Sequence, residues 1–272
     1  MKIRLIIFTF LSCLYTDNGI SYSKKSRQSN TFECLSKSRN DTILKMDTII
    51  KFDSVYLNSK IPFSSNKIPK TVDFLTLSNY PLDKIPLKYY KNIYSLRLNY
   101  NTKYKINATV FTVKHLSELW LHNVQIPNIK KNKSITLVDL NNCDVQNYDF
   151  LDSEKLDYIS LGNQNIKNWY PNYRSLRNLD FLELVNCKIE PYHLKNIKSD
   201  RIILSYNNLN EFPKELSQAK TLELWLDCNN ISVIPEFVYK MKFLSTLSLR
   251  GNPIKSEDKK RLKKTFGNRV LL

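Results

Sequence analysis

Glu118 and His122 stand four residues apart in a segment that alternates like a strand, so both side chains leave the same face. A carboxylate and an imidazole so placed make half of a metal site, but no second histidine joins them in the pattern, the others being His115 and His193. The pair therefore reads as part of a polar binding face, and no metal is expected. The five cysteines, Cys13, Cys34, Cys143, Cys187 and Cys228, include no CxxC pair, which argues against structural zinc. No Ser-His-Asp arrangement or nucleophile motif is visible. Glycine occurs only four times, without a Walker-type loop or a GxGxxG run, so no phosphate-cradling turn and no cofactor is expected. These residues point to a binder rather than an enzyme.

The elements that must carry such a face follow from a short repeated pattern. Ile202–Leu209 reads IILSYNNL, 224–231 reads LWLDCNNI, and 247–254 reads LSLRGNPI. All three fit L-x-L-x-x-N-x-L. The second leucine of each L-x-L falls at Leu57, Leu77, Leu98, Leu121, Leu140, Leu161, Leu184, Leu204, Leu226 and Leu249, at spacings of 20, 21, 23, 19, 21, 23, 20, 22 and 23. A two-residue period inside a period of about twenty is a strand repeated along an array. One such unit cannot bury its leucines alone, whereas stacked units form one continuous core.

The pattern resembles that of the leucine-rich-repeat family over about residues 52–254. The resemblance implies an α/β solenoid, a curved horseshoe whose concave parallel sheet has about ten short strands and whose convex returns are short helices or irregular chain. Residues 213–218 and 235–241 are the helical returns, each opening with proline at a first-turn position. Apolar-proline steps at Phe212-Pro213, Ile234-Pro235, Ile85-Pro86 and Ile126-Pro127 match a step of the family. The resemblance further implies a ladder at the Asn position, whose side chain bonds turn backbone. Here that position is Lys60, Tyr80, Asn101, Val124, Cys143, Gln164, Cys187, Asn207, Asn229 and Asn252. Cys143 and Cys187 are two repeats apart, about 10 Å at the ~4.8 Å strand spacing, beyond disulfide reach, so free and mostly buried thiols are expected.

The organisation expected at the ends is as follows. Residues 32–51 form an amino cap and 255–272 a carboxyl cap helix with a final strand, the helix carrying Leu262 and Phe266 on one face and lysines on the other. Residues 1–15 combine Lys2, Arg4 and an apolar run of about ten residues, a signal-peptide pattern too short to span a membrane. Residues 10–13, Phe-Leu-Ser-Cys, resemble the lipobox of bacterial lipoproteins, with Phe10 where leucine is usual and Cys13 as the acylated residue. Residues 16–31 are a polar tether. Export follows, either lipid-anchored at the cell envelope or secreted, and an uncut segment would instead make the chain an intracellular scaffold.

Register also reads out the concave face. Between the leucines stand Tyr56, Thr76, Arg97, Trp120, Asp139, Ser160, Glu183, Ile203, Trp225 and Ser248. The column before them runs from Ser54 to Thr246 through Glu118, Tyr158, Phe181, Arg201 and Glu223, and the column after includes His122, Asn141, Gly162, Asp227 and Arg250. The thirty positions hold five acids, three arginines and no lysine, in a chain of net charge +17. That excess suits nucleic acid, anionic membrane or acidic glycan, and it also follows from a composition rich in Lys, Asn, Ile and Tyr. A nucleic-acid reader would put its bases on the binding face, so no nucleic acid is expected. The residues expected to bind are Glu118, Trp120, His122, Asp139, Tyr158, Phe181, Glu183, Glu223, Trp225 and Asp227. Aromatics flanked by acids suit a protein or peptide partner, with a glycan as the alternative.

Overall fold

A computed structural model describes residues 39–45, 48–58, 72–86, 91–129, 132–171 and 179–272. The expected signal segment, the lipobox cysteine Cys13, the tether, Cys34 and the ladder position at Lys60 lie outside the described residues. Two compact units divide the chain, residues 1–35 and 36–272, and the second is described here.

The leucine pairs make strands, and the strands stack in chain order. They are β1 (Arg39–Lys45), β2 (Thr48–Asn58), β3 (Phe74–Ser78), β4 (Ser95–Lys105), β5 (Glu118–Ile126), β6 (Leu137–Asn141), β7 (Asp144–Val145), β8 (Tyr158–Gly162), β9 (Leu179–Val185), β10 (Ser199–Ile203), β11 (Glu223–Trp225), β12 (Thr246–Ser248) and β13 (Val270–Leu271). From β2 to β13, leaving out β7, each strand pairs with the next in parallel, so the sheet is a leucine-rich-repeat solenoid. β1 differs. It turns back on β2 as an antiparallel neighbour, with Arg39 opposite Ser54 and Lys45 opposite Thr48.

Alternation decides what is buried. Leu75, Leu77, Leu96, Leu98, Leu119, Leu121, Leu140, Leu161, Leu182, Leu184, Leu204, Leu224, Leu226, Leu247 and Leu249 lie in one core with almost no exposure. Each buried leucine contributes roughly 1.5–3 kcal/mol by removing its apolar surface from water. The residues between them face the other way and make the sheet's open face.

The returns close the core from the far side with 3-10 turns rather than α-helices. They span Leu82–Lys84, Ala108–Thr112, Asp149–Leu151, Pro191–Leu194, Lys214–Gln218 and Val238–Lys240. A repeat of about twenty residues leaves too few for an α-helix, and the tighter 3-10 turn still drives an apolar side chain inward. Leu82, Phe111, Phe150, Leu194, Leu216 and Val238 are those side chains. The expected helical returns at 213–218 and 235–241 are 3-10 helices, Lys214–Gln218 after Pro213 at the N-cap and Val238–Lys240. Two early returns add extended chain before the turn, with Tyr104 opposite Val124 and β7 paired to the far end of β5.

One spacing has a local cause. Between Asn99 and Tyr104 the register of β4 slips against β5, where four residues of β4 face Asn123 alone. The extra residues put Tyr104, not Asn101, opposite Val124 at the ladder position. Asn101 is exposed, which corrects its expected ladder role. Lys103 projects from the bulge to the carbonyl of Asn142 and to Asp144 Oδ1 at 2.9 Å.

After the last repeat, α1 (Ser256–Phe266) covers the core end with Leu262 and Phe266. Asp258 in its first turn accepts from Tyr239 Oη (2.8 Å) and from the Ile234 N–H (3.1 Å). Gly267, at φ 58°, ends the helix in the left-handed region that glycine enters at no steric cost. No helix among the described residues is long and apolar enough to cross a membrane.

Candidate functional site

The open face is held in register by two ladders in the turn that follows each strand. The first is at the expected Asn position. The Asn207 amide donates to Leu184 O (2.6 Å) and Leu204 O (2.9 Å), while its Oδ1 accepts from the Cys187 N–H (2.8 Å). Asn229 and Asn252 repeat the arrangement one and two units on. Cysteine fills the same slot as a donor only. Cys143 Sγ donates to Leu121 O (3.3 Å) and Cys187 Sγ to Leu161 O (3.0 Å). Both thiols are buried and unpaired, and burial pushes each up to about 12. Cys228 is a free thiol but exposed, unlike these two.

The second ladder was not anticipated. One residue earlier, in eight of the described turns, the backbone enters the left-handed region, at Asn79, Asn123, Asn142, Asn163 and Asn186, then at Tyr206, Cys228 and Gly251. Asparagine is the side chain other than glycine that tolerates this conformation best. In a chain with four glycines it does glycine's work and adds hydrogen bonds. Asn142 donates to Asn123 Oδ1, Asn163 to Asn141 Oδ1 (3.3 Å) and Asn186 to Asn163 Oδ1 (2.9 Å). The signal was in the sequence, as an asparagine two residues after the second leucine in five repeats.

On this frame the strand pairings align the expected residues in columns. Arg97, Trp120, Asp139, Ser160, Glu183, Ile203, Trp225 and Ser248 are successive neighbours in the middle column. Glu118, Leu137, Tyr158, Phe181, Arg201 and Glu223 form the first. His122 lies in the third, between Asn99 and Asn141, and Asp227 continues that column at the carboxyl end.

Side chains from two columns join into a diagonal strip. The Arg97 guanidinium sits 4.6 Å over Trp120, whose ring is 6.1 Å from Tyr158. Tyr158 stacks on Phe181 at 4.4 Å with a 6° interplanar angle, and Arg201 lies 5.8 Å from the Phe181 centroid. Arg201 pairs with Glu223 through two contacts of 2.7 Å, and the Trp225 ring N–H donates to Glu223 Oε2 (3.4 Å). The strip thus gathers Trp120, Tyr158, Phe181, Glu223 and Trp225 and adds Arg97 and Arg201 to them. Phe181 is expected on the exposed face, yet it is only 9% exposed, because Tyr158 covers it. Its contribution is to support Tyr158 from beneath.

The acids beside the strip have unusual surroundings. Burial first, and the charge of Glu183 second, push Asp139 up to about 7, with Arg97 pulling it back. Glu183 is also raised by burial, partly offset by the Ser160 hydroxyl that donates to its Oε2 (3.0 Å). Burial, then these two carboxylates, raise the Tyr158 phenol as well. His122 is lowered by burial and then by the charge of Lys103. Asp227 is engaged by the next repeat, accepting from the Ser248 hydroxyl and the Arg250 N–H (2.9 Å). Glu118 is half-buried beside Trp120 on the same strand.

Among the described residues no group of three His, Cys, Asp or Glu side chains is placed to hold a metal ion. No protein-family model matches the chain. No curated protein matches it either. Among solved structures it is similar to a leucine-rich-repeat protein of Leptospira interrogans, at 16% identity over 80% of this chain and 89% of that one, with a TM-score of 0.31.

Proposed function

We propose that the chain is a non-enzymatic binding module that recognises a protein or peptide partner on the open face of its sheet. The observation that carries this reading is the strip from Arg97 through Trp120, Tyr158 and Arg201 to Trp225. Large, rigid rings and arginines dominate the energetics of protein interfaces, since they bury much area at little entropic cost. The acids along the strip select the partner's hydrogen-bond donors. The basic start and apolar run of residues 1–15, with Cys13 at a lipobox-like position, support export and anchoring at a cell envelope.

Selection of random displayed peptides on the folded protein tests the reading. Expected are enriched peptides whose binding falls at least tenfold on a Trp120→Ala/Trp225→Ala variant that keeps its circular dichroism. Peptides that bind the variant equally well would overturn the open face as the site. Glycan-array binding lost in the same variant, with no peptide enriched, would replace the peptide partner by a sugar.

A further inference from the structure

The middle of the strip lacks what its two ends have. At one end a guanidinium rests on Trp120, and at the other a guanidinium lies beside Phe181 and is held by Glu223. Tyr158, between them, carries no stacked cation among the described residues, although it is flanked by the two acids that burial has altered most. Asp139 and Glu183 stand in the same column on either side of Ser160, two strands apart, hence about 10 Å between backbones. Glu183 has one hydroxyl partner. Among the described residues no hydrogen bond or ion pair reaches the Asp139 carboxylate. A carboxylate half-buried beside two rings and without a donor asks for an explanation. Gly162 lowers the floor on the far side of Ser160, where a Cβ would come within 3.0 Å of the Asn141 amide.

We infer that this gap is a subsite for a guanidinium of the partner, an arginine side chain that lies on Tyr158 and donates to Asp139 and Glu183 across Ser160. The inference rests on the open face being the binding face. The chemistry fits in three respects. The planar fork of a guanidinium offers five donors in fixed directions, so it can serve two carboxylates that approach from opposite sides. Its weak hydration lets it stack on a ring, as Arg97 already does on Trp120. A second positive charge is tolerated because Arg201 is already paired with Glu223, leaving Asp139 and Glu183 to answer Arg97 and the incoming group. The charged groups that face the subsite are Arg97, Glu118, His122, Asp139, Glu183 and Arg201.

Binding then couples to protons. In the free protein Asp139 holds a proton over much of the neutral range, and a guanidinium beside it favours the carboxylate. Proton release accompanies binding at pH 7, and affinity rises from pH 6 to pH 8.

The probe is N-acetyl-arginine amide, with N-acetyl-citrulline amide as its uncharged isostere. Both are titrated into the isotope-labelled protein while the amide resonances of Ser160 and Gly162 are followed. Expected are saturable shifts with arginine, at least tenfold weaker binding of citrulline, and a similar loss in an Asp139→Asn/Glu183→Gln variant. Equal binding of citrulline, or unchanged arginine affinity in the variant, would overturn the subsite. Should arginine fail while displayed peptides still depend on Trp120 and Trp225, the subsite falls and the binding face stands. Failure of both removes the face as well.

Discussion

Replacing Asn229 by alanine should cost far more than replacing Cys187, although both occupy the same slot of the inner ladder. Asn229 is 3% exposed. Its Oδ1 accepts from the N–H groups of Asn207 (2.9 Å) and Leu209 (3.0 Å), and its amide donates to Leu204 O (3.0 Å) and Leu226 O (2.9 Å). Alanine leaves the buried Asn207 N–H and the part-buried Leu209 N–H without an acceptor, each at about 1–3 kcal/mol, and removes the donated bonds as well. A loss of about 3–5 kcal/mol follows once partial water entry is allowed for. Cys187 only donates, through a weak S–H, to Leu161 O and Val185 O. Its alanine variant orphans no N–H and should lose about 1–2 kcal/mol, mostly from the small cavity. The two losses differ by about 1–4 kcal/mol, so at roughly 2–4 °C per kcal/mol for a chain of this size the melting temperatures should separate by about 2–16 °C. Urea denaturation followed by circular dichroism is the assay, with amide exchange at Asn207 and Leu209 as a local readout, because repeat arrays can unfold piecewise. Equal losses in the two variants, or unchanged exchange at Asn207 in Asn229→Ala, would refute the view that the acceptor half of the ladder carries its stability.

Three further outcomes follow from the same geometry. His193 is fully buried, accepts from the Glu190 N–H at Nδ1 (2.8 Å) and contacts Ile166 O through Nε2 (3.0 Å); burial lowers it, so its contribution is intact above the unfolded pKa of ~6.5 and is lost as pH falls through the lower folded value. The melting temperature should therefore drop between pH 7 and pH 5 with a steeper slope than in a His193→Gln variant, and identical slopes would count against it. Tyr206 sits at φ 62° and is 53% exposed, so Tyr206→Asn should raise stability by about 0.5–1 kcal/mol in urea titration, as befits the residue that repeats β3, β5, β6, β8 and β9 place there; a loss would show that its ring contributes more than its backbone costs. In peptide mapping after brief iodoacetamide treatment at pH 8, Cys228 should be alkylated in the native protein, and Cys143 and Cys187 only after denaturation, since the latter are buried and pushed up to about 12.

Much of this was legible because two periods are written in leucine. The alternation within each L-x-L fixes which side chains face out, and the return of the pattern every 19–23 residues fixes which of them become neighbours. Arg97, Trp120 and Asp139 line up in the structure as that arithmetic requires. What escaped was whatever depends on the third dimension or on a local insertion. The bulge after Asn99 moved the ladder position from Asn101 to Tyr104, and nothing in the composition of that segment marks where the extra residues leave the strand. Burial of Phe181 arises from the way the Tyr158 ring lies over it, a contact between side chains on different strands. The returns at 213–218 and 235–241 carry helix-compatible residues and prolines, but the room between core and surface admits only the tighter turn. Backbone sign at Tyr206 and Cys228 overrode residue preference, because the turn is imposed by its neighbours in the stack.

The slip between β4 and β5 carries a further consequence. Four residues of one strand face a single residue of the next, yet the columns on either side keep their alignment from Ser95–Glu118 through Asn99–His122. Length changes in the returns are thus absorbed where they occur, while the five-residue segments of the open face stay in step. Mutation can then act on the two halves of each unit separately. Insertions and deletions drift through the back of the molecule at little cost, and single substitutions on the front revise what it recognises. A lineage built on this plan can change its ligand one side chain at a time without rebuilding the scaffold that presents it.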